Sequence, residues 1–132
     1  MLNKKLRVLV LGGGPSSEHE VSLKTAEMVR KHLDPKKYKP VLSIIPKSGK
    51  WVPSAGADIA FIAMHGEFGE DGRLQAILEK AGIPYTGSGV LASALGMDKA
   101  RSQAIFNAHG LNVPKSYFFS AAEFKKDKIK IL

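Results

Sequence analysis

The sequence contains no cysteine. That excludes disulfides, thiolate catalysis and cysteine-ligated zinc, and it fits a cytoplasmic setting. Acids are sparse beside bases: 12 Asp and Glu against 20 Lys and Arg leave a formal net charge of +8. Aromatic residues make up only 8% of the chain, and they do not interleave with the lysines as a stacking surface for single-stranded nucleic acid requires. The lysines themselves are scattered, with one late cluster at Lys125, Lys126, Lys128 and Lys130. Solvated helix backs and loops account for them, so the charge implies a general attraction for anions and no nucleic-acid partner. Long apolar runs are missing as well. The longest, Ile59 to Met64, falls far short of the about 20 residues that a membrane-spanning helix needs, and no membrane partner is expected. The basic start, Met1 to Arg7, leads into a strand and a glycine loop with no small-residue cleavage site, so no signal peptide is read.

What is present is ordinary globular material. At 132 residues, 44% hydrophobic and 24% charged, the chain has the size of one domain with a real core. Its organising stretch runs from Ala57 to Gly89. The apolar run Ile59-Ala60-Phe61-Ile62-Ala63-Met64 reads as a strand buried on both sides, as in parallel sheets. It stops at His65-Gly66-Glu67-Phe68-Gly69-Glu70-Asp71-Gly72, and a helix with Leu74, Ile77, Leu78 and Ala81 on one face follows. Ligands of open α/β sheets bind beyond the carboxyl ends of the strands, so His65 to Gly72 is the first place to look for chemistry.

The remaining segments fit the same pattern. Leu6 to Leu11 reads as a first buried strand ending at Gly12-Gly13-Gly14. Glu18 to Leu33 reads as a helix with Val21, Thr25, Met28, Val29 and His32 on its inner face. Ser17 as N-cap and Glu20 three residues on form an expected capping box, and Asp34-Pro35 ends the helix. Tyr38 to Ile45 is a second strand, Pro46 to Lys50 a turn, and Trp51 to Pro53 a short return segment. Gly82 to Gly89 gives a brief strand and a glycine-rich turn. Val90 to Gly96 and Asp98 to Ala108 give two short helices, the second capped by Asp98 and stopped at His109-Gly110. Val113 to Phe119 is extended, and Ser120 with Glu123 opens a last helix through a capping box. Lys128 to Leu132 begins an apolar alternation with nothing after it to pair with: a tail, or a chain cut from something longer. The order of elements predicts an α/β fold with a mainly parallel sheet and right-handed crossovers.

The candidate site residues each carry two readings. The Gly12 to Ser17 loop joins a strand to a helix start, a phosphate-binding arrangement. It lacks the third glycine of a dinucleotide fingerprint and the Lys-Ser/Thr of a P-loop, and Glu18 would repel a phosphate. A stand-alone nucleotide-binding domain is therefore disfavoured. With Glu20 engaged by the capping box, Glu18 is left free at the strand rim. There it either complements the helix dipole, for about 0.3–1 kcal/mol, or holds a substrate ammonium, for about 1.5–3 kcal/mol. His65, on the same rim, is either a structural histidine or a substrate contact, and its place before a loop of glycines and acids favours contact. Glu67, Glu70 and Asp71 have no second histidine at ligand spacing and precede a helix where acids favour its start, so no metal is read there. Lys99, near a helix N-terminus, could reach a phosphate. His19, His32 and His109 are assigned structural roles.

Taken together, these residues resemble a known family. Gly12-Gly13 with Ser17-Glu18-His19-Glu20-Val21-Ser22-Leu23 resembles the amino-terminal signature of D-alanine–D-alanine ligases. His65-Gly66-x-x-Gly69-Glu70-Asp71-Gly72-x-Leu74-Gln75-Ala76, Pro84 to Val90, Ala92-Ser93-Ala94 and Met97-Asp98-Lys99 continue the match in order. The resemblance covers about Val8 to Val113. It implies the Rossmann-like three-layer fold of the domain that precedes an ATP-grasp region. The implied enzyme is a cytoplasmic ligase in which ATP, with Mg2+, phosphorylates one D-alanine and the amine of a second attacks the acyl phosphate, for peptidoglycan synthesis. By the same resemblance Glu18 is catalytic and holds the first D-alanine's ammonium, Val21, Ser22 and His65 join it as substrate-binding residues, and Lys99 is cofactor-binding. Residues 1–113 would then be the substrate domain and 114–132 the linker and start of the ATP-grasp region. Most ATP and Mg2+ ligands of the family fall after Leu132, so the chain alone is expected to be inactive. A homodimer, with exposed apolar residues of Val90 to Leu95 at the contact, is a further implication. The alternatives are an isolated interaction module and a D-alanyl-D-lactate-type ligase, although Tyr85-Thr86 fits the dipeptide-forming members better.

Overall fold

A computed structural model describes residues 4–126. The chain divides into two compact units, Met1–Met97 and Asp98–Leu132. In the first, β1 (Leu6–Gly13) lies at the centre of a three-stranded sheet between β2 (Tyr38–Ile45) and β3 (Ile59–Ile62), all parallel. Leu9 pairs with Val41 on one side and with Ala60 on the other. Successive side chains of a strand point to opposite faces, and β1 uses both. Val8 and Val10 pack with Ala26 of α1 (His19–His32). Leu9 and Leu11 pack with Leu74 and Leu78 of α2 (Arg73–Lys80). The sheet is thus the middle of three layers, as the continuous apolar runs imply.

Several local expectations need correction. The strand at residue 59 ends at Ile62; Ala63 and Met64 continue it only as buried, irregular chain. The brief strand after Gly82 is a single parallel bridge, Ala60 to Tyr85, and Trp51 to Pro53 forms no strand. Trp51 instead donates from Nε1 to Ser43 Oγ at 3.0 Å. On α2 the inner face is Leu74, Gln75 and Leu78, with Ile77 half-buried and Ala81 exposed.

The largest correction concerns α1. Its inner face is Ser22 and Ala26, flanked by Val29 and Leu33, while Val21 and Met28 are 52% and 56% exposed. The cause is distance. A Cβ on Gly12 would lie 2.6 Å from Ala26 Cβ and 2.9 Å from the Ser22 carbonyl oxygen, so the helix approaches β1 too closely for large side chains. The Ser17–Glu20 capping box also does not form. Glu18 is the N-cap, without a side-chain cap bond, and Ser16 Oγ accepts the Glu18 N–H at 3.1 Å. Glu20 faces Lys47 across the surface at 4.0 Å.

Past α2, the first unit ends with α3 (Val90–Met97), which buries no residue; Leu91 is 72% exposed. The second unit holds α4 (Lys99–Ala108) and α5 (Ala121–Lys126). Asp98 caps α4 by accepting the Arg101 N–H at 3.0 Å. Ser120 and Glu123 make the reciprocal box read from the sequence, with bonds of 2.7 and 3.1 Å. The alternation Lys128 to Leu132 lies outside the described residues. No helix among them is long and apolar enough to cross a membrane.

Candidate functional site at the strand tips

The tips of β1 and β3 are joined through His65, and α1 with the turn before it supplies every polar partner of that residue but one. Its backbone N–H donates to Ser22 Oγ at 3.0 Å, and its carbonyl accepts from Ser16 Oγ at 2.9 Å. Its ring Nε2 lies 3.0 Å from Thr25 Oγ1. These three hydroxyls come from the start of α1 and the turn before it, so the close approach at Gly12 also sets where the imidazole stands. The remaining partner is Glu70, whose Oε1 is 4.0 Å from His65 Nδ1.

Glu18 arrives from the same side. Its Oε2 lies 2.5 Å from where a Cβ on Gly66 would be. Gly66, at φ 73°, is therefore needed both for its left-handed backbone and for the room it leaves the carboxylate. Among the described residues no group donates a hydrogen bond to the Glu18 carboxylate. Glu18 is thus free for a reason other than the expected one, since Glu20 caps nothing. Val21, exposed, stands one turn into the helix beside buried Ser22.

The loop between His65 and α2 is held by its own acids. Glu70 Oε2 accepts the Gly66 N–H at 3.0 Å. Asp71 accepts from the Phe68 N–H at 2.8 Å, from the Arg73 N–H at 3.1 Å and from the Arg73 guanidinium at 2.6 Å. Partial burial pushes the Asp71 carboxyl up, but the Arg73 side chain and the two backbone donors outweigh it and hold its pKa below the ordinary value. Phe68, buried with φ 71°, is the one non-glycine residue at positive φ among the described residues. Such a conformation costs about 1–3 kcal/mol and persists only where its surroundings impose it; here Asp71 and the apolar core do so. With Glu70 and Asp71 so engaged, the loop does not fit a divalent metal, and no group of three metal-binding side chains exists among the described residues.

Beyond Glu70 lies a cavity of about 410 Å³ lined by Met64, Gln75, Thr86, Ser93 and Met97 among others, but by neither Glu18 nor His65. Lys99, exposed, opens α4 in the second unit. The other histidines each pair with a backbone carbonyl: His19 with Gly14, His32 with Met28 and His109 with Ile105. Tyr85 donates its hydroxyl to Glu79 at 2.7 Å, which raises the phenol's pKa. The sequence reading passed over Ser16 and Thr25 as site residues. Ser16 was visible two residues before Glu18 and Thr25 three residues beyond Ser22 on the same helix face, but nothing in the sequence said that these hydroxyls would meet residue 65.

The fold and this corner define an open-sheet α/β protein with its polar cluster at the carboxyl ends of parallel strands. A family described as "D-ala D-ala ligase N-terminus" matches residues 7–57 and 53–88. The D-alanine–D-alanine ligase of Wolbachia sp. subsp. Brugia malayi is 41% identical over 127 residues, covering 96% of this chain and 38% of that protein. The structure of the D-alanine-D-alanine ligase from Coxiella burnetii superposes with a TM-score of 0.86 at 27% identity, over 96% of this chain and 49% of the other. That of the Bacillus anthracis D-alanine–D-alanine ligase complexed with ATP gives a TM-score of 0.74 at 33% identity, over 93% and 43%. The chain belongs to the D-alanine–D-alanine ligase family and corresponds to its amino-terminal region. It spans 38–40% of the length of such relatives.

Proposed function

We propose that this chain is the amino-terminal part of a cytoplasmic ligase that joins two D-alanines for peptidoglycan synthesis, and that it carries part of the first D-alanine site. What supports the reading most is a single arrangement: an unclaimed Glu18 carboxylate over Gly66, beside His65, at the tips of parallel strands. A D-amino acid offers an ammonium, and a free carboxylate is the group that takes one, for about 1.5–3 kcal/mol when the hydrogen bond is charge-assisted. His65 is the second contact. Ser22 acts by holding the backbone of His65, and Val21 by its exposed apolar surface.

The reaction needs ATP and Mg2+ to activate a carboxylate as its acyl phosphate. This chain offers Lys99 toward a phosphate and, with its loop acids already engaged, no group of side chains among the described residues that fits Mg2+. On this reading the metal and most of the nucleotide contacts belong to the family's ATP-grasp domains, outside these 132 residues. The chain alone is expected to be inactive.

The test is kinetic. In the full-length ligase, Glu18→Gln should raise the KM for the first D-alanine by about 10- to 150-fold, the equivalent of the lost charge-assisted bond, with the KM for ATP unchanged. An unaltered D-alanine KM, or a rise confined to ATP, would overturn the assignment. A second reading, assembly into a homodimer, is favoured by α3, whose residues are all unburied.

A further inference from the structure

Thr25 lies on the second turn of α1 and enters none of the roles assigned above. Its hydroxyl has one proton, and that proton is committed: Oγ1 donates to the Val21 carbonyl at 3.0 Å. The same oxygen lies 3.0 Å from His65 Nε2. Two lone pairs cannot bond each other, so the proton between them belongs to the ring. We infer that Thr25 is a positioning residue that holds neutral His65 in its Nε2–H form, leaving the Nδ1 lone pair as the face the imidazole presents.

The consequence concerns what His65 can meet. Nδ1 faces Glu70 Oε1 at 4.0 Å, and the other Glu70 oxygen already accepts from the Gly66 backbone. With Glu18 nearby, the corner presents three acceptors and no side-chain donor. Resting on the D-alanine reading, His65 therefore receives an N–H of the substrate ammonium and does not donate to its carboxylate. The backbone clamps from Ser16 and Ser22 fix where the residue sits, and Thr25 fixes which ring nitrogen carries the proton.

The experiment is nitrogen-15 NMR of this chain labelled at histidine, at about pH 8, above the ordinary histidine range. The expected result is a pyrrole-type Nε2 bearing a slowly exchanging proton and a pyridine-type Nδ1 at His65. Thr25→Val, equal in shape but without the hydroxyl, should speed exchange of that proton about tenfold, as expected for one lost hydrogen bond. Thr25→Ser should restore the slow exchange. An Nδ1–H ring in the wild type, or slow exchange retained in Thr25→Val with its amide spectrum intact, overturns the inference. Adding D-alanine to the full-length ligase, labelled in the same way, separates it from the reading it rests on. A shift of the Nδ1 resonance supports both, whereas an unmoved Nδ1 with the Nε2–H form in place overturns the substrate role and upholds the tautomer.

Discussion

Ser22 shows how much a single small side chain carries in this corner. It is completely buried, lies at the tightest point between α1 and β1, and its hydroxyl accepts the His65 N–H. Ser22→Ala keeps the fit at Gly12 but strands a partly buried amide, and should cost about 1–3 kcal/mol in urea unfolding; a loss under about 0.5 kcal/mol would show that another acceptor takes over. Asp71 makes a prediction in pH. Its folded pKa is below the ordinary value, because donors from Arg73 and Phe68 overcome the opposing effect of burial. A lowered carboxylate stabilises the fold above its unfolded pKa of about 3.9, and this contribution is lost as pH falls through the folded value. Asp71→Asn should therefore flatten the acid limb of a stability-versus-pH curve, and an acid limb identical to the wild type would refute the role. Glu27, on the surface of α1 and lowered to about 2 by Arg30, has the same sign, but water and salt screen it.

At the scale of elements, what was legible depended on whether a contact was local. The buried strands declared themselves as apolar runs, and Leu74 and Leu78 showed the inner face of α2 by their spacing. The caps at Asp98 and Ser120 were legible because each is settled within three residues. The face of α1 was not, because hydrophobicity was the wrong guide: a helix set against a glycine turns its small residues inward and leaves Val21 and Met28 outside. This yields a paired test. Gly12→Ala, one added carbon where 2.6 Å is available, should cost about 1–3 kcal/mol through overpacking. Met28→Ala, a far larger deletion on the face that the sequence marked as inner, should change stability by less than about 0.5 kcal/mol. Denaturation midpoints giving the reverse order would restore the original face.

For the whole molecule, the relevant fact is how much apolar surface has no partner. Leu91 of α3 is mostly exposed, and in the second unit Ile105, Phe106, Leu111, Tyr117, Phe118, Phe119 and Phe124 are exposed as well. Scattered exposed apolar residues are normal, but this many leave surface on which a second copy could dock, in line with the proposed homodimer. The chain should therefore associate measurably with rising concentration in sedimentation velocity, and a sedimentation coefficient independent of concentration would argue against the homodimer. The position of the candidate site was legible at this scale, since strand tips collect ligands in any open parallel sheet. The identity of the hydroxyls that hold His65 depends on a long-range approach that no local pattern encodes.

The grip of α1 on residue 65 makes the helix a ruler for the reaction corner. Ser22 and Thr25 lie on α1, and Ser16 and Glu18 in the turn that opens it, so the seat of the helix on the sheet sets where the acid and the imidazole stand. The steric stop that sets this seat is at Gly12, against Ser22 and Ala26. If the proposed D-alanine site is right, a substitution there should weaken D-alanine recognition without touching the ligand, by altering the gap between Glu18 and His65.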